Sequence, residues 1–144
     1  MRVGAGVLRI MMVATGLLLL PGSGPAQQRP LSQVQVARRF WLAAVGQHWQ
    51  QAYRWLTPTA RAQLSERQFR QTLQPLREPV RQFGPIIDLY KLGYRLRDVA
   101  APEPFVAYTF RADTLAARPH FQLDISFQDS TARQVKSFRL IQMK

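Results

Sequence analysis

Apolar positions change period once along the chain. From Ser32 to Gly84 they recur every three or four residues, and from Pro85 onward they alternate. Val34, Ala37, Phe40, Trp41 and Ala44 form one stripe between Ser32, a favourable N-cap, and Gly46, a helix stop, so the spacing predicts an amphipathic helix. Trp49, Ala52, Tyr53 and Leu56 repeat it over a short second helix ended by Thr57-Pro58. That pair also supplies a cap and a first-turn proline for the turn that follows. Ser65 with Gln68 three residues later reads as a capping box, and Phe69, Leu73, Leu76, Val80 and Phe83 carry a third, longest helix to Gly84. Pro75 lies inside it and predicts a kink or a break.

The second region predicts strands. Ile86 to Asp98 places Tyr90, Leu92, Tyr94 and Leu96 on one face, with Gly93 as the position for a bulge or bend. After the Pro102-Glu103-Pro104 turn, Val106, Tyr108 and Phe110 share a face of Phe105 to Arg111. Phe121, Leu123, Ile125 and Phe127 then alternate with Gln122, Asp124, Ser126 and Gln128. Asp129 to Ala132 is a polar hairpin connection, and Val135 to Met143 is a last strand with Phe138 and Leu140 facing the core. Helices followed by a four-stranded antiparallel meander define an α+β layout, in which one face of the sheet must be buried against the segregated helices.

The N-terminus follows a different rule. Arg2 and Arg9 precede the uncharged run Ile10 to Leu20, which is followed by the small-residue segment Pro21 to Ala26. These are the three regions of a secretory signal peptide, and the run is well short of the roughly 20 apolar residues of a membrane-spanning helix. The expectation is residues 1–26 as a leader cleaved near Ala26, and residues 27–144 as one exported domain, periplasmic or secreted. The chain has no cysteine, so there is no site for a lipoprotein anchor, and disulfides, cysteine-ligated metals and thiol catalysis are excluded.

Composition and charge narrow the partners. At 47% hydrophobic residues the chain can build an ordinary core and is too apolar for disorder. Of 20 basic residues two leave with the leader, so 18 face 8 acidic ones, a net charge of +10. Residues 27–84 hold nine arginines against Glu66 and Glu78. Arg67, Arg70, Arg77 and Arg81 fall within about 80° of one another on an ideal helix, a basic stripe suited to an anionic envelope component or an acidic protein. Nucleic acid is not an expected partner: export separates the chain from most of it, and the strand aromatics read as buried. His48 and His120 stand 72 positions apart with no carboxylate at zinc-binding spacing, so no metal or other cofactor is expected.

The runs VARRFWLAAVGQHWQQAYRWLTP and LSERQFRQTLQPL, followed by a glycine and alternating strands, carry a family likeness through Gly46, Ala52, Tyr53, Ser65, Phe69 and Gly84. Over residues 32–143 the chain resembles the nuclear transport factor 2-like superfamily, also described as cystatin-like or SnoaL-like, and most of all its small exported bacterial members. The resemblance implies three N-terminal helices packed on a curved four-stranded antiparallel sheet, together a cone.

A fold of this kind hosts many functions, so function rests on the site. The resemblance implies that a catalytic member would use a cavity carboxylate as base with tyrosine donors, as in ketosteroid isomerase-type proton transfer. Strand parity offers Asp88, Tyr90, Tyr94 and Tyr108 for that, though tyrosines on an apolar face are also ordinary core residues. The reading adopted is a non-catalytic binding or accessory domain of the cell envelope. Its alternative is a carrier or sensor of a small hydrophobic ligand, in a pocket lined by Trp41, Tyr53, Asp88, Tyr90, Tyr94 and Tyr108. A homodimer belongs with the interaction-module form of the first reading, in which the sheet face or the basic helical face docks an envelope protein or polymer.

Overall fold

A computed structural model describes residue 24 and residues 28–144; the expected leader lies outside the described residues, Gly24 excepted. Helix α1, Gln33–Val45, starts at the expected cap: Ser32 Oγ accepts the Gln35 N–H at 3.2 Å, and Gln35 Oε1 accepts the Ser32 N–H at 2.8 Å. Its inward face buries Val36, Ala37, Phe40, Trp41 and Ala44. Gly46 is its C-cap, and a Cβ there would meet the Leu42 carbonyl at 3.2 Å and the His48 ring at 3.0 Å.

Helix α2, Trp49–Tyr53, follows, and the chain then brushes the sheet. Val135 donates its N–H to Trp55 O at 2.8 Å, and Thr57 donates to Val135 O at 3.0 Å. The turn after Thr57 is a helix in its own right, α3, Pro58–Gln63, capped by Thr57 Oγ1. The Tyr53 hydroxyl fastens α2 to its end by donating to Leu64 O at 2.7 Å.

The expected third helix is three pieces: α4, Glu66–Thr72, a 3-10 turn at Gln74–Leu76, and α5, Arg77–Phe83. The physical reason is Pro75, which has no N–H to donate and whose ring excludes the carbonyl a continuous helix would place there. Pro79 causes no second break, because in the first turn of α5 its missing N–H has no intrahelical partner to lose. Among the described residues the helical layer therefore holds five α-helices where three were expected.

Four antiparallel strands follow in the order β1-β2-β3-β4: β1 Ile87–Arg95, β2 Glu103–Phe110, β3 Phe121–Ser126 and β4 Ser137–Gln142. Val106, Tyr108, Phe110, Leu123 and Ile125 bury one face under the helices, and the Tyr108 hydroxyl reaches Val34 O of α1 at 2.8 Å. Phe40, Phe69 and Phe138 pack with ring centroids 5.2–5.9 Å apart, joining α1, α4 and β4.

Two features depart from simple alternation. The bulge in β1 lies at Tyr90, not Gly93: Leu89 pairs with Tyr108, Lys91 with Ala107, and Gly93 sits in regular register with Phe105. The extra residue reverses parity along β1. Asp88, opposite Thr109, therefore lies on the sheet face away from Tyr108, whereas Leu92 and Tyr94 lie on the Tyr108 face. Second, Gln122, Asp124 and Ser126 on the polar side of β3 are as buried as its core side.

Candidate functional site

The C-terminal end of α1, the start of α2 and the start of α5 enclose a groove of about 490 Å³. Ala44 and Val45 of α1 and Leu76 and Val80 beside the Pro75 break form its apolar lining, with Trp49 at the first residue of α2. Gln47 lies at its edge with a left-handed φ of 59°, which turns the backbone between the two helices. Arg77 and Arg81 complete the lining from α5. Both are exposed; Arg81 pairs with Glu78, and Arg77 makes no ion pair among the described residues.

The groove lies beside the break at Pro75: Leu76, at the end of the 3-10 turn, and Val80 of α5 line it with the end of α1, and Arg77 and Arg81 stand alongside. Of the basic stripe, Arg67 and Arg70 lie on α4, on the other side of the break, and Arg70 stands 4.0 Å from Glu66. All four arginines are exposed, but only Arg77 and Arg81 line the groove.

The six residues proposed for a cone cavity are dispersed. Trp41 and Tyr108 are fully packed in the core, and Tyr53 is a half-buried strut between helices. Tyr90 and Tyr94 are 41% and 59% exposed on β1. Asp88 is gripped by Arg111, whose Nε and Nη2 donate to its two oxygens at 2.8 Å each. Those hydrogen bonds and the guanidinium charge hold the Asp88 carboxyl below its usual range. This clamp, on the face opposite Tyr108, favours an ionised Asp88.

The fold makes other groupings, and its charge clusters were not visible in the sequence. The buried Asp113 carboxylate, in the 3-10 turn Arg111–Leu115, accepts from His120, seven residues away. On the outer sheet face, Arg95 and Lys136 close over Glu103 and Asp124. Along β1, Leu89, Leu92 and Tyr94, with Leu96 just past its end, leave 46–71% of their surfaces exposed beside a strand edge. Among the described residues no three His, Asp or Glu side chains converge as a metal site, and no helix is long and apolar enough to cross a membrane. Comparison with protein-family models, curated proteins and solved structures returned no match.

Proposed function

We propose that this chain is an exported, non-catalytic binding domain whose ligand is an anionic amphiphile, an acyl chain ending in an acid group, held in the groove between α1, α2 and α5. The observation that carries the reading is the combination in one groove of an apolar lining, Val45, Trp49, Leu76 and Val80, with two exposed arginines, Arg77 and Arg81. Its volume of about 490 Å³ lies within the usual range for small-molecule sites. The alkyl chain would lie on the apolar lining, and the acid group would meet the guanidinium forks. The leader-like N-terminus supports a place in the bacterial envelope, where acyl chains and acidic head groups abound. The α+β layer order is also what the nuclear transport factor 2-like resemblance implies, a cone with its ligand displaced from the cavity to the helical side.

Titration calorimetry with dodecanoate, dodecanol and decanoate tests this reading. Dodecanoate should bind saturably, dodecanol more weakly, and decanoate up to about fifteenfold more weakly, at ~0.8 kcal/mol per buried methylene. The Arg77→Gln/Arg81→Gln variant should lose the preference for the acid over the alcohol. Equal binding of acid and alcohol by the unaltered protein would overturn the assignment.

A second reading rests on β1. Its row of exposed apolar side chains beside a free strand edge favours an interaction module, the occupant being a second copy paired β1 to β1. Equilibrium sedimentation tests it: Leu92→Lys should convert a dimer to a monomer, and a monomer at high concentration excludes it.

A further inference from the structure

The outer face of the sheet holds two carboxylates in an unusual state. The side chains of Glu103 on β2 and Asp124 on β3 are only 8% and 6% exposed. Buried carboxylates persist only when paired, and the partners here are cations. Arg95 of β1 places Nη2 2.9 Å from Asp124 and Nη1 3.5 Å from Glu103, and Lys136 Nζ is 2.6 Å from the other Glu103 oxygen. The Gln122 amide donates to Asp124 at 2.9 Å. Burial alone would raise the Glu103 pKa, but hydrogen bonds from Lys136 and Ser126 and the charges of Lys136 and Arg95 lower it.

These contacts commit both acids. Arg139 lies opposite Asp124 in the β3–β4 ladder, yet the Asp124 carboxylate is already taken by Arg95 and Gln122. Arg139 and Arg97 are exposed and make no ion pair among the described residues. Both line a cleft of about 540 Å³ with Arg95 and Lys136, and Asp98, in a left-handed turn with φ 60°, stands at the same cleft. A cation tied to a buried acid is fixed in place at little further entropy cost, and its remaining donors are pre-positioned.

We propose that this cleft is an oxyanion site for a phosphate group, with Arg97 and Arg139 as its free donors and Arg95 and Lys136 held beside them by Glu103 and Asp124. Planar guanidinium forks suit the several acceptor oxygens of phosphate. Asp98 opposes the ligand and sets its affinity low. The site lies on the sheet and stands independently of the helical groove.

The test is a titration with inorganic phosphate, chloride holding the ionic strength constant, followed by the amide resonances of Ser137 and Arg139. Saturable shifts are expected. Binding should weaken at least about tenfold in Arg97→Gln/Arg139→Gln and tighten in Asp98→Asn, a gain that a purely structural charge cluster would not give. Phosphatidylglycerol and phosphatidylcholine vesicles separate the two sources of the group. Capture by the former alone, abolished in the double variant, assigns a lipid headgroup; saturation by inorganic phosphate without capture assigns a free phosphate. Shifts matched by chloride, with vesicle binding unchanged in the double variant, overturn the proposal. Arg77→Gln/Arg81→Gln serves as the control and should leave the phosphate titration unaltered.

Discussion

The Asp113 carboxylate and His120 are joined twice: the His120 backbone N–H donates to Oδ2 at 2.7 Å, and ring Nδ1 lies 2.6 Å from Oδ1. The Phe121 N–H adds a third bond at 2.9 Å, and the imidazole stacks on Phe83 of α5 with centroids 6.0 Å apart. One buried acid thus closes the loop before β3 and ties it to the helical layer.

Stability should fall with acid through this contact. Burial raises the Asp113 pKa, but the His120 and Phe121 hydrogen bonds and the His120 charge outweigh it, so the folded value lies below the ordinary 3.8. A depressed carboxylate contributes stability fully above its unfolded pKa and loses it as pH falls through the folded value. Asp113→Asn should therefore cost about 1–3 kcal/mol at pH 7, because one set of donors loses its acceptor. Urea unfolding from pH 7 to pH 3 should show the two proteins converging at the acid end; a constant difference would contradict the contact's role.

Tyr108→Phe tests the tie between sheet and helices. It deletes the 2.8 Å bond to Val34 O while keeping the ring in the core, so a loss of about 1–2 kcal/mol is expected. The denaturant slope should stay constant, since the exposed surface hardly changes.

Gly84 and Gly46 should respond to alanine for different reasons. Gly84 has φ 83° and ψ 177°, a region closed to residues with a Cβ, although nothing lies within 4 Å of the added atom. Gly84→Ala should cost about 1–3 kcal/mol through the backbone alone. Gly46 has φ −77° and ψ 3°, open to alanine, so its cost should come from the His48 and Leu42 contacts. His48→Ala, which removes the ring, should relieve part of the Gly46→Ala penalty and none of the Gly84→Ala penalty, as read by thermal unfolding.

Processing is a separate prediction. Expressed in an exporting bacterial host, the protein should have an intact mass that begins at Gln27. A mass that retains Met1 would contradict the proposed export.

Much of this fold was legible because the signals are local. The Ser32 and Ser65 caps, the break at Pro75 and the four alternating runs each depend on a few neighbouring residues. The bulge at Tyr90 was not, since alternation runs unbroken through it and only pairing with β2 reveals the slipped register. Every facing assignment that counted through Tyr90, the grouping of Asp88 with Tyr94 included, inherited that slip. Alternation placed Asp124 and Gln122 on the polar side of β3 but could not show their burial, because a period of two records side, not cover; Asp124 is held by Arg95, 29 positions away, and by Gln122. The groove combines Val45, Trp49 and Val80 from separate helices, and Leu76 and Val80 had read only as part of a core stripe. The arginine stripe was the one hint, and half of it, Arg77 and Arg81, lines the groove.

Methyl NMR of the protein titrated with dodecanoate tests the central claim most directly. The account predicts that the largest shifts fall on Val45, Leu76 and Val80, with Leu89 and Leu92 on β1 unmoved. Shifts confined to Leu89 and Leu92, or no saturable shift at any methyl, would contradict it.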